Sequence, residues 1–201
     1  MEKKKEKIGQ IRRREILEAA KKVFLRKGFA DTVMEDIIQE TSLSRGGVYY
    51  YYINKVDIMH DLMKQGIDYR VGQVKAFMAA YSGRMDQMAI AEMMVDKILD
   101  RSDLMSLYAM YLQAQKTNQE LRALFPVLVQ ENFQAVSAGM KEGEDPAFQM
   151  MTSRFLIAFI NTMILGCETL EGARDSFLRN RSFLVEILMA FIKAYENGKV
   201  D

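Results

Sequence analysis

The sequence predicts an all-α protein. Helix formers dominate long stretches, strand-like alternation bounded by Gly or Pro turns is scarce, and 16 methionines accompany only two prolines and no tryptophan. With 49% hydrophobic and 27% charged residues, the 201-residue chain has the composition of a soluble globular protein with a real core. The pattern predicts about nine helices. A disordered basic tail at 1–9 leads into a three-helix head at 10–55, and a larger helical body occupies 56–201.

The lysine-rich start offers nothing to bury and carries no apolar core, so no secretory signal is expected. From Gln10, the spacing of Ile11, Ile16, Ala19, Ala20, Val23 and Phe24 marks an amphipathic helix that a left-handed cap at Gly28 should end, with Phe29 folding back. Thr32 and Glu35 form a capping-box pattern that opens a second helix running to about Glu40. Residues 41–52 supply a turn and a third helix. Ile37, Leu43 and Val48 are spaced so that helix, turn and helix feed one small core, as a helix-turn-helix requires.

Asn54 is a favoured N-cap with Asp57 three residues on, so a new helix starts at Lys55 and runs to near Ala80. It is longer than the head needs and is the natural lever to the body. Further helices are expected at about 85–100, 103–116, 118–141, 146–171 and 175–197. Gly139, Gly143 and Pro146 mark the sharpest break, and Pro126 should kink or split its helix. In the last helix Phe183, Leu184, Ile187, Leu188, Phe191, Ile192 and Tyr195 form an apolar stripe.

Residues 1–57 hold 13 Lys or Arg against 9 Asp or Glu, net +4, while the remainder is net −3. That is a mild nucleic-acid footprint on the front of the chain. Cys167 is alone, which excludes an intrachain disulfide and a cysteine-based zinc site and makes a cytoplasmic location the expectation. The longest apolar run, 155–167, is too short to cross a bilayer. One histidine, no metal-ligand spacing and no glycine-rich phosphate loop leave no catalytic constellation, so neither enzyme activity nor a cofactor is expected.

If Val48 faces inward, Tyr49 and Tyr50 lie about 100° and 200° around the helix and face outward, where hydroxyls reach phosphates and rings reach thymine methyls. Arg45 at the helix start can reach a guanine edge or a phosphate, and Lys55 with a helix N-terminus behind it forms an anion site. The stretches T-V-M-E-D-I-I at 32–38 and S-R-G-G-V-Y-Y-Y-Y-I-N-K-V-D-I-M at 44–59 resemble the TetR family of bacterial transcriptional repressors. The resemblance is strong over about 50 residues and elsewhere is one of length and helix count. It implies a homodimer that sets each third helix in a major groove of a palindromic operator, with a body that answers to a small effector. It also implies backbone contacts from Tyr49 and Lys55, and makes Tyr52 a core residue in place of phenylalanine. Ser42 stands where the family has a turn glycine and Ile38 where it often has alanine. Gly46 and Gly47 weaken the third helix by about 1 kcal/mol each relative to alanine.

The expected DNA-facing set is therefore Thr32, Arg45, Gly46, Gly47, Tyr49, Tyr50 and Lys55. Met93, Met94, Tyr108, Tyr111, Phe125 and Phe133 lie where the family's cavity lies and suit a small apolar or amphipathic effector. Phe155, Phe159, Leu184, Ile187, Leu188 and Phe191 are the expected dimer interface, since the last two helices are too apolar for one face of a monomer. His60 and Cys167 read as structural residues before sensors, and Glu92, Asp96, Asp100 and Asp103 as a solvated face before a cation site. The rival function is a helical adaptor whose tyrosine-rich head binds a protein.

Overall fold

Side-chain caps set where most of the helices begin. In the computed structural model, which describes residues 2–80, 86–137, 150 and 153–200, the side chains of Ser44, Asn54, Asp86, Ser102, Asn118 and Ser153 each accept a first-turn backbone N–H. The described residues form ten helices: α1 (Glu2–Lys27), α2 (Met34–Gln39), α3 (Arg45–Tyr51), α4 (Lys55–Ala80), α5 (Gln87–Leu99), α6 (Asp103–Ala114), α7 (Gln119–Ser137), α8 (Arg154–Thr169), α9 (Ala173–Arg179) and α10 (Arg181–Glu196). No strand occurs among them.

Several boundaries differ from expectation. The predicted tail is part of α1, since Glu2–Lys7 is a run of good helix formers with no breaker before Gly9. Ile11 lies exposed on that helix. The α2 cap is Val33, not Thr32: Asp36 Oδ2 accepts the Val33 N–H at 2.9 Å, and Thr32 is buried with its hydroxyl donating to Gly28 O at 2.7 Å. Gly28 does adopt the left-handed cap, at φ +80°. Ser42 does not, because no described residue other than glycine has positive φ. The predicted last helix is two. Gly172 at φ +72° starts α9, and Asn180 ends it, its N–H donating to Ser176 and Phe177 carbonyls. Pro126 lies within an unbroken α7, while Gly139, Gly143 and Pro146 fall outside the described residues.

Two hydrophobic clusters meet on α6. Ile16, Val23, Phe24, Ile37 and Val48 of the head share one cluster with Ile58, Met59 and Leu62 of α4, Leu107 and Tyr111 of α6, and Leu121 and Leu128 of α7. The other joins α5, α8 and α10 to Met105 and Ala109 of α6. The buried Tyr111 hydroxyl is satisfied by Leu121 O at 3.0 Å. Arg181 ties α10 to Glu92 and Asp96 of α5, and Arg174 binds Glu168 and the carbonyls of Leu99 and Asp100. The expected solvated acidic face is therefore in part a helix-to-helix clamp.

The expected dimer stripe divides in two. Leu184 and Leu188 are buried inside the protomer, where α10 packs on α5, so they are core residues rather than interface. Phe155 stays 50% exposed, Phe183 and Ile187 are also exposed, and Phe159 and Phe191 are half-buried. The Phe155 ring stacks 5.7 Å from Phe191 and 6.4 Å from Phe159. No single described helix is long and apolar enough to cross a membrane. The split predicts opposite mutational outcomes on neighbouring residues: Leu188→Ala should cost about 2–5 kcal/mol in chemical denaturation, and Ile187→Ala under about 1 kcal/mol for the protomer.

Candidate nucleic-acid interface and effector cavity

Val48 is the one fully buried residue of α3. Leu43 and Tyr51 pack against the same cluster, while Tyr50 is 82% exposed and Tyr49 is also exposed. The turn before it is fastened from α1: Ser42 N–H donates to Glu15 Oε1 at 2.7 Å, and Arg12 donates to both Glu15 and the Ser42 hydroxyl. The hydrogen bonds from Ser42, then Arg12, hold the Glu15 carboxyl below its ordinary value of 4.5. Arg45 pairs with Glu35 at 2.9 Å and lies 5.7 Å over the Tyr49 ring. Both side chains of that pair are well exposed, so a competing partner can take Arg45 at little cost.

Gly46 has open space where a Cβ would stand, and a Cβ at Gly47 would meet Ser44 Oγ at 3.4 Å and Leu43 Cβ and Cδ2 at 3.5 and 3.7 Å. Neither has positive φ. Tyr52 is core as expected, with its hydroxyl on Asp61 Oδ2 at 2.8 Å and burial raising its pKa. Arg13, not singled out from the sequence, lies over the Tyr51 and Tyr52 rings.

Two expected DNA-facing residues are otherwise engaged. Thr32 is 0% exposed and its hydroxyl is spent on Gly28. Lys55 folds under the head: its ammonium donates to the carbonyls of Phe29 at 2.7 Å, Ala30 at 3.1 Å and Thr32 at 2.7 Å, and stands 4.6 Å over the Phe29 ring. Three donors meet three acceptors, which leaves no proton for an anion. Burial lowers its pKa, opposed by Asp31 and Asp36. The reading of Lys55 as an anion site is thereby corrected, because the α1–α2 loop turns its carbonyls toward the start of α4.

The body encloses a cavity of about 210 Å³ between α4, α5, α6, α7 and α8. All six expected residues line it: Met93, Met94, Tyr108, Tyr111, Phe125 and Phe133. Polar residues missed from the sequence join them, namely Arg70, Lys97, Asn132 and Asn161. Helical spacing held the signal, since Lys97 follows Met93 and Met94 by four and three residues. Tyr108 donates to Asn161 Oδ1 at 3.0 Å, and burial pushes its hydroxyl up to about 12. Arg70 faces Asp100 at 3.6 Å. Desolvation first, and then Arg70, bring the Lys97 ammonium down to about 8. Beside the cavity His60 of α4 meets Glu131 of α7 at 3.5 Å. Cys167 is half-buried in the second cluster, its thiol raised by burial. Among the described residues no group of three or more His, Cys, Asp or Glu could hold a metal ion.

Comparison with known proteins follows this division. Residues 16–62 match the family described as bacterial regulatory proteins, tetR family. The HTH-type transcriptional regulator YfiR of Bacillus subtilis, itself uncharacterized, is 47% identical over 57 residues, 28% of each chain. TtgR of Pseudomonas putida, also an HTH-type transcriptional regulator, is 33% identical over 55 residues, 27% of this chain and 26% of its own. The matched stretch thus spans about a quarter of these relatives' length. The fold likeness is wider: Salmonella enterica GusR superposes with a TM-score of 0.66 at 14% identity, over 94% of this chain and 95% of its own. A Saccharomonospora viridis protein solved with choline gives 0.54 at 16% identity, over 94% and 96%.

Two outcomes follow from the head. Lys55→Ala should lower thermal or denaturant stability by about 1–3 kcal/mol, from the loss of charge-assisted bonds, and leave the salt dependence of any DNA binding unchanged. Glu15 has a folded pKa below its unfolded one, so its contribution is full above about pH 4.5 and is lost as pH falls through the folded value. The melting-temperature gap between wild type and Glu15→Gln should be present at about pH 7 and close toward about pH 3.

Proposed function

We propose that this chain, which belongs to the TetR family through its N-terminal domain, is a DNA-binding transcriptional regulator that represses from a palindromic operator as a homodimer and is released by a small organic effector. The observation that carries the reading is the exposed face of α3. One buried valine seats the helix, and Arg45, Tyr49 and Tyr50 stand clear of the core. Arg45 is the candidate for a guanine edge or phosphate, and the tyrosines for phosphates and thymine methyls. The glycines keep that face low enough for close backbone approach.

The coupling between effector and head rests on α4 and α6. Met63 and Tyr111 line the cavity and also belong to the cluster that contains the head's core. A ligand that repacks those residues acts on surfaces that seat α1 to α3. It shifts the equilibrium only as far as it prefers the released arrangement, and operator DNA must weaken its binding by the same factor. A second copy supplies the other half-site. Phe155, Phe183 and Ile187, exposed on α8 and α10, are the anchors for it, in place of the buried Leu184 and Leu188. Choline belongs to the Saccharomonospora viridis neighbour; the two cations in this cavity argue against a cationic ligand here.

Operator duplex selected from a random pool supplies the test. Affinity should fall steeply with salt, by about 0.9 log units per log salt for each phosphate neutralised. Arg45→Ala or Tyr50→Ala should cost about 1–3 kcal/mol on the selected site and much less on random duplex. Absence of any salt-dependent duplex binding would leave the adaptor reading in its place.

A further inference from the structure

We propose that the body cavity takes a small amphipathic monocarboxylate, its charged end held by Lys97 and Arg70 and its apolar end among the methionines and tyrosines. The proposal rests on the effector reading above and adds the ligand's charge. Two cationic side chains line the cavity, and no acidic residue does so among the described residues. Arg70 faces the Asp100 carboxylate at 3.6 Å, whose other oxygen accepts the Ser102 N–H at 2.7 Å, and it feels Asp96 more weakly, a carboxylate already paired with Arg181 at 2.8 Å. Lys97 makes no ion pair or hydrogen bond with any described residue.

An ammonium in an apolar enclosure is unfavourable without a counter-charge. With two cations and one carboxylate at the flank, the site is short of one negative charge, which is what a monoanion brings. The lowered basicity of Lys97 is the expected sign of that deficit, since desolvation and the like charge of Arg70 both act on it. Neutral groups complete a recognition set: the Asn161 amide is fixed by Tyr108 through its oxygen, which leaves its N–H donors free to turn toward a ligand. The volume of about 210 Å³ lies below the common range of about 300–1,000 Å³ for ligand pockets, so an aromatic or short-chain acid fits better than a long acyl chain.

The test is calorimetric titration of the full chain with benzoate, phenylacetate, hexanoate and octanoate, each against its alcohol and amine counterpart. At least one acid should bind about tenfold or more tightly than both counterparts, and Lys97→Met should erase that preference. Lys97→Gln provides the same reading if the Met variant does not fold. At pH 8 the acid should bind with uptake of about half a proton, seen as a dependence on buffer ionisation enthalpy and lost in the Lys97 variant. The other titratable groups on the cavity wall are Arg70 and Tyr69 of α4 and Tyr108 and Tyr111 of α6, and α7 and α8 present the neutral Asn132 and Asn161. Acids that bind no better than alcohols, no acid binding up to about 10 mM, or a preference that survives both variants would overturn the proposal. The effector reading fails separately: acids that bind with this pattern yet do not release operator would leave the ligand class standing, whereas release by an alcohol or amine with no acid bound would do the reverse.

Discussion

The Lys55 ammonium is the contact on which the arrangement of head and body depends. It gathers three carbonyls of the loop between α1 and α2 onto the first turn of α4, and the Phe29 ring covers it. A helix N-terminus ordinarily invites anions, yet here the first residue of the helix turns its charge toward backbone oxygens of another segment. The direction of α4 relative to the helix-turn-helix is thereby fixed at its origin. Any swing of the head on the lever must therefore either carry the loop along or break these bonds.

Farther along, α6 serves two cores at once. Tyr111 packs with the head cluster, stacks on Tyr108 at 6.3 Å and lines the cavity, while its hydroxyl is closed off by Leu121. Cavity wall and head foundation thus share Met63, Tyr111 and Leu128. Close packing makes such shared residues responsive, because a wall residue that changes rotamer disturbs neighbours on both sides.

The head was legible because its signals are local. Asn54, Gly28 and the Ile37, Leu43, Val48 spacing each state a constraint within a few residues, and each holds in the structure. The cavity set was legible too, as all six expected residues line it. What escaped depends on partners distant in sequence. Lys55 has the composition of a phosphate contact until the loop carbonyls 23 to 26 residues earlier are brought to it. Leu184 and Leu188 look like interface until α5, far back in the chain, covers them. Periodicity identifies an apolar stripe but does not say whether its cover comes from the same protomer. Lys97 and Arg70 carry no such signal because charge on a helix is ordinarily solvated, and only tertiary packing brings both to one cavity.

The two adjacent glycines of α3 have a consequence for how such a protein diversifies. The Cβ position of Gly46 is open, that of Gly47 lies at ordinary contact distance from Ser44 and Leu43, and their backbone is one that any residue accepts. Most positions on a packed domain resist change because a new side chain displaces an old neighbour. Here a methyl group would enter open space at Gly46 and touch its neighbours without overlap at Gly47, and helix propensity would favour it over glycine. That stretch of α3 can therefore gain side chains by single codon changes at Gly46 and Gly47 with no backbone strain.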